Sequence, residues 1–175
     1  MNEIGAHNLD GCMRTYTGKT IDLICPDPMT FDIRDIAQGL AFKAHFAGQS
    51  KHYFSIAQHC MLVCDLLPDG LKTDNKMMML ALLHDAAEAY IGDMIKPLKV
   101  HLPTYVLVED RIMKAICKKF GLDHNRIKEL KPYDIEAQQI EYDNFYNGVR
   151  SISYLSPDEA AKQFKLRYIR YYSTN

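Results

Sequence analysis

Beyond residue 32, apolar residues recur at three- and four-residue intervals through most of the chain, the spacing of helices that bury one face. Ile33, Ile36, Ala37, Leu40, Ala41 and Ala44 predict a first helix near 33–45, with Asp32 as its N-cap and Asp35 in the capping-box position. After a short loop from Ala47 to Tyr53, Ser55 is placed to cap a second helix, about 56–67, which carries Gln58-His59 and is broken by Pro68-Asp69-Gly70. A third is predicted over about 75–91 and ended by Gly92. Pro97 and Pro103 bracket a loop, and Val106 to Phe120 forms a fourth helix closed by Gly121. Asn125 to Asn144 holds a fifth, interrupted at Pro132, and Ser156-Pro157-Asp158-Glu159 starts a last one that runs to about Tyr171. Residues 1–31 are rich in turn formers instead. Within them Tyr16-Thr17-Gly18-Lys19-Thr20 reads as a turn or small hairpin flanked by Met13 and Ile21, and Pro26-Asp27-Pro28 as a stiff, non-helical stretch. The fold class is all-α: one helical domain over residues 1–175, with residues 1–31 as an irregular segment packed on the bundle.

Composition agrees with that picture. The chain has 175 residues, 47% hydrophobic and 25% charged, enough for one domain with a real core. A formal net charge of −1 argues against a stable complex with long nucleic acid, but leaves room for a small anion held by a few lysines. Five cysteines, Cys12, Cys25, Cys60, Cys64 and Cys117, form no CxxC pair, so a disulfide framework or zinc ribbon is not expected and a reducing, cytoplasmic setting is. Cys60 and Cys64, one helical turn apart, read as small core residues. No stretch is apolar enough to span a bilayer, no membrane partner is expected, and the N-terminal MNEIGAHNLDGCM lacks the features of a signal peptide.

The apolar run Met77 to Leu83 changes the picture by how it ends: in His84-Asp85, with Glu88 one turn on and Asp93 just past a glycine. Titratable groups at the end of a core helix are costly to desolvate, and something must offset that cost. His59 on the second helix, His84 and Asp85 on the third and Asp134 on the fifth could surround one divalent ion. Such mixed nitrogen and oxygen ligation suits Mn²⁺, Co²⁺, Fe²⁺, Ni²⁺ or Zn²⁺, with Mg²⁺ also a candidate. The same four residues could equally form a hydrogen-bonded polar network in the core. Residue spacing leaves both readings open.

The motifs resolve further by resemblance. Phe54-Ser55-Ile56-Ala57-Gln58-His59, then Leu82-Leu83-His84-Asp85-Ala86-Ala87-Glu88-Ala89-Tyr90-Ile91-Gly92-Asp93, then Pro97-Leu98-Lys99 closely resemble the HD-domain metal-dependent phosphohydrolases. The branch they most resemble is that of bacterial 5′-deoxynucleotidases and phage deoxynucleoside triphosphate hydrolases, and Tyr16-Thr17-Gly18-Lys19 with Asp32 to Ala37 looks like a subgroup of small phage and bacterial members. The likeness runs from about Tyr16 to Lys99 and resumes at Lys131 to Asp134. It implies an HD-type helical bundle with His59, His84, Asp85 and Asp134 as metal ligands. It implies Glu88 as the carboxylate that positions or deprotonates the attacking water, with Asp93 assisting, and Lys99 and Lys131 as phosphate contacts.

The sequence departs from the family pattern at one point. Relatives often carry an Arg-aromatic pair shortly before the first ligand histidine, and here His45-Phe46 stands in its place. Imidazole cannot make the bidentate fork of an arginine, so phosphate grip would be weaker, pH-sensitive, or supplied by Lys43, Lys51 or His52, while Phe46 could stack on a base or sugar or belong to the core. The resemblance thus implies hydrolysis of a (deoxy)nucleoside 5′-phosphate, with triphosphate hydrolysis, a non-catalytic nucleotide sensor and a purely structural helical module as alternatives. The partner expected is a small nucleotide substrate. Homo-oligomers are common among relatives, and the tail Tyr168-Ile169-Arg170-Tyr171-Tyr172 could provide a packing surface.

Overall fold

The computed structural model describes residues 11–173, so most of the segment on which the missing signal peptide was read lies outside the described residues. Two short strands, β1 (Cys12–Arg14) and β2 (Thr20–Asp22), pair antiparallel with Met13 opposite Ile21, so the turn at Thr15 to Lys19 does close a hairpin. Ile21 is buried in the core and anchors the hairpin on the helices. Asp35 holds its tip: the carboxylate accepts from the Thr17 backbone N–H at 2.7 Å and from the Thr17 hydroxyl at 2.8 Å. Asp35 therefore does not serve a capping box, and Asp32 alone caps the first helix, accepting from the Arg34 N–H at 3.0 Å.

The helices are α1 (Ile33–Ala41), α2 (Ile56–Leu66), α3 (Asp69–Lys72), α4 (Asn75–Leu83), α5 (Glu88–Ile91), α6 (Lys96–Lys99), α7 (Pro103–Phe120), α8 (Lys131–Tyr146) and α9 (Pro157–Ser173). α2 is the central one, packed against α1, α4, α8 and α9, and its stretch Ile56 to Met61 is buried throughout. α4 beside it is buried from Met77 to Leu83, which accounts for the apolar run. α9 closes the bundle over α1 and α4. Tyr171 of the tyrosine-rich tail is buried and Tyr168 packs edge-on against Phe120, whereas Ile169, Arg170 and Tyr172 are exposed, so the tail is divided between core and surface. The five cysteines are free, with Cys60, Cys64 and Cys117 buried. Among the described residues no helix is long and apolar enough to cross a membrane.

Several predicted boundaries shift, each for a local reason. The first helix stops at Ala41, not near residue 45, because Ala44 leaves it to bridge with Ser55; His45 N–H donates to the Phe54 carbonyl and Ile56 N–H to that of Lys43. The predicted third helix is broken after Leu83 by a turn of three-residue hydrogen bonds, such as Glu88 N–H to Asp85 O at 2.9 Å, before α5 begins. Asp69 to Lys72 forms one helical turn in the segment read as a breaker, and Lys96 to Lys99 another, with Pro97 in its first turn. Pro103 opens α7 and Pro132 sits in the first turn of α8, positions where a missing N–H costs nothing. A 3₁₀ stretch over His124–Leu130 replaces the first part of the predicted fifth helix.

Two contacts fix α5, and with it Glu88. A Cβ built at Gly39 would lie 2.6 Å from the Ala89 carbonyl oxygen, so only glycine lets α1 pass this close to α5. Lys43 then donates to the carbonyls of Glu88 and Ala89, the first two residues of α5, at 2.8 and 2.7 Å.

Candidate metal centre

His59 follows directly on a complete capping box, in which Gln58 N–H donates to Ser55 Oγ at 3.2 Å and Ser55 N–H to Gln58 Oε1 at 3.4 Å. That fixes the first turn of α2 and aims the fully buried His59 ring. His59 Nδ1 lies 2.7 Å from Glu141 Oε1. His84 stands where α4 breaks, and its Nδ1 lies 2.9 Å from the Ala81 carbonyl oxygen. A carbonyl and a carboxylate can only accept, so both Nδ1 atoms carry the hydrogen. In the neutral rings the lone pair is therefore on Nε2. Both Nε2 atoms are buried and neither has a hydrogen-bond partner.

These two nitrogens face carboxylates from two elements. Asp85 Oδ2 is 3.0 Å from His84 Nε2 and 3.6 Å from His59 Nε2, and Asp134 Oδ1 is 3.3 Å from His59 Nε2. With neutral rings these are acceptors facing acceptors, which a bound cation, or protons on both rings, would satisfy. Ligand atoms of His59, His84 and Asp85 lie within 4.8 Å of one another, with Asp134 against His59, and these donors fit a divalent cation of mixed nitrogen and oxygen preference. A second cluster, His45, His59 and Glu141, is different in kind: Glu141 Oε2 accepts from His45 Nδ1 at 2.8 Å while Oε1 accepts from His59, so those atoms are already satisfied.

The electrostatics favour positive charge here. Burial works against ionisation of Asp85 and Asp134, yet the neighbouring histidines, with Lys131 beside Asp134, hold both carboxyls well below the usual range. Burial likewise opposes protonation of His59 and His84, but Glu141 and Asp134 around the first and Asp85 beside the second raise both well above the ordinary imidazole value. The opposite holds for Glu88. Burial, then the charges of Asp85, Asp93 and Glu109, push its carboxyl up to about 9. Its Oε2 is buried and unpartnered.

A cleft of about 690 Å³ brings Asp85, Glu88, Asp93, Lys99, Lys131, Asp134, His45 and Phe46 together. Asp85 and Lys99 also line a smaller opening of about 220 Å³ that reaches His84. Lys99 and Lys131 face the cleft already paired, Lys99 with Glu109 at 2.7 Å and Lys131 with Asp134 at 2.6 Å. Asp93 accepts from the Ala47 N–H at 3.2 Å and so steadies the Phe46–Gly48 turn, where Phe46 and Ala47 hold the left-handed φ values of 55° and 50°. Non-glycine residues there cost roughly 1–2 kcal/mol each. Phe46 is half-buried, edge-on to Phe145 and against His45, with a face left to the cleft. The other expected sources of phosphate grip are elsewhere. Lys43 is spent on α5, and Lys51 and His52 line a separate cleft of about 530 Å³ with Arg150 and Tyr154.

Glu141 escaped the sequence reading, although it lies seven residues after Asp134, two helical turns along the same face of α8, with Ala137 buried between them. A glutamate on a face that must also hold an apolar core position was the available signal.

A helical bundle that carries two orphaned imidazole nitrogens and a histidine-aspartate pair at its centre defines a protein class, and the comparisons agree. Residues 44–146 match the family model of the HD domain, and the chain belongs to that family. It is similar to an uncharacterised protein of Rhodobacter capsulatus, 40% identical over 113 residues that make up 62% of this chain and 58% of that protein. It is also similar to the uncharacterised protein YfdR of Escherichia coli K12, 38% identical over 112 residues, 63% of this chain and 58% of YfdR. The matched region thus spans a little over half the length of these relatives.

Proposed function

We propose that the protein is a divalent-metal-dependent phosphohydrolase acting on (deoxy)nucleoside 5′-phosphates, like the 5′-nucleotidase branch it resembles. The observation that carries this reading is the pair of buried, unpartnered Nε2 atoms turned toward two carboxylates. His59, His84, Asp85 and Asp134 would hold the ion, which when bound would supply Lewis acidity toward the phosphoryl oxygen and the attacking water. Glu88 would orient that water and accept its proton. Its high folded pKa is set first by burial and then by anionic neighbours, so positive charge beside Asp85 lowers it toward ionisation. Lys99 and Lys131 would swing from their carboxylate partners to the phosphate, and Phe46 would offer a ring face to base or sugar.

The charge inventory supports a monophosphate over the triphosphate alternative. The cleft is lined by three lysines, Lys96, Lys99 and Lys131, and the last two must first give up Glu109 and Asp134, so few cations are at hand for a longer phosphate chain. A nucleotide in this cleft makes a non-catalytic sensor the other alternative, against which the full ligand set and Glu88 argue. The test is a panel of nucleoside mono-, di- and triphosphates assayed with Mn²⁺, Co²⁺, Mg²⁺ or chelator, with products identified. Release of inorganic phosphate from monophosphates, abolished by chelator, is the expected result. Release of a longer phosphate chain would move the assignment to the triphosphohydrolase, and no release with any pair, with the metal bound, to the sensor.

A further inference from the structure

We propose that Glu141 is a positioning residue that serves the metal side and the substrate side of the centre at once; the proposal rests on the hydrolase reading for the role of His45. The carboxylate is fully buried on α8 and divides its two oxygens: Oε1 accepts from His59 Nδ1 at 2.7 Å and Oε2 from His45 Nδ1 at 2.8 Å. The two imidazoles lie nearly against each other, with centroids 4.4 Å apart, across the same carboxylate. Holding the hydrogen on Nδ1 of His59 leaves Nε2 free for a cation. Holding it on Nδ1 of His45, which lines the cleft, makes that ring's Nε2 an acceptor, suited to a sugar hydroxyl or base N–H of the substrate and not to a phosphoryl oxygen. A freely swinging side chain at residue 45 becomes a fixed one, with neither the charge nor the donors of an arginine fork. No other described side chain bonds to both rings.

Glu141→Gln keeps the size and removes one acceptor, because the amide nitrogen must face one of the two Nδ1 donors. Outer carboxylates of this kind are worth roughly 10–100-fold in metal affinity. Glu141→Gln is therefore expected to weaken Mn²⁺ binding 10–100-fold in a chelator-competition titration, with no substrate present. At saturating Mn²⁺ it should also raise KM, and the rise should not add to that of His45→Gln in the double variant. A role confined to packing would leave the KM effects additive. Wild-type Mn²⁺ affinity in folded Glu141→Gln, or fully additive KM changes, would overturn the proposal, whereas a missing hydrolase activity with weakened Mn²⁺ binding would overturn only the functional reading. Should the variant fail to fold, histidine-selective ¹⁵N NMR of the Zn²⁺-loaded wild type decides instead: His45 and His59 are both expected to carry the hydrogen on Nδ1, and an Nε2–H form at either would refute the clamp.

Discussion

Gly39→Ala sets local helix propensity against packing, and the structure says which wins. In an exposed helix interior the change would stabilise by about 1 kcal/mol. Here the three nearest atoms to the new Cβ are the Ala89 carbonyl oxygen, Cβ and Cα at 2.6, 2.8 and 2.9 Å, and ordinary contact begins near 3.4 Å. α5 must therefore retreat by about 0.8 Å. It cannot do so freely, because Lys43 grips the Glu88 and Ala89 carbonyls. The obstacle is backbone, so the overpacking cost belongs at the upper end of its range, about 3 kcal/mol. The net loss is then about 2 kcal/mol, a fall in Tm of roughly 4–8 °C for a chain of this size. Because Glu88 rides on α5, turnover should fall as well while bound metal, held by α2, the turn after α4, and α8, stays. Thermal melts of metal-loaded protein and metal analysis of the same sample read both. An unchanged or raised Tm would show that α1 and α5 are not locked together as described.

Other expectations follow from the site. His84→Ala or Asp85→Ala should lose both bound metal and phosphate release, read by elemental analysis and a phosphate assay; retained activity in either would refute the ligand assignment. Glu88→Gln should keep the metal and lose about 10²–10⁴ of the rate, the usual worth of a general base. Without metal, the same variant tests the high carboxyl pKa. A folded pKa of about 9, above the unfolded value of 4.5, contributes stability below pH 4.5 that is lost as pH rises toward 9. Glu88→Gln should therefore gain Tm over the wild type steadily across that window, and parallel curves would contradict it. Asp32 runs the other way: Arg34, by hydrogen bond, then Lys19 keep its carboxyl well below the ordinary value despite partial burial. Its stabilisation is present above about pH 4 and lost below. Asp32→Asn should flatten the acid limb of the Tm–pH curve.

The periodicity of apolar residues was enough to determine an all-helical fold and the identity of its long helices, because each depends on which face of a short segment is buried, and turn formers marked the hairpin whose register the structure supplies. It could not show that the helix through His84 breaks. At that break an imidazole takes up the Ala81 carbonyl, and α1 presses on α5 through Gly39, the second a contact between residues far apart in the chain. The motifs singled out His59, His84, Asp85, Glu88 and Asp134, and the fold brings all five to one centre. What the motifs could not supply is the state of those groups. Which nitrogen of each histidine is free, which lysines are already paired, and why Glu88 resists ionisation depend on partners such as Glu141 and Glu109 and on exclusion of water. Local sequence sets the helices and their buried faces; the three-dimensional neighbourhood sets tautomer, pairing and charge, because those free energies depend on distance and desolvation and not on order along the chain.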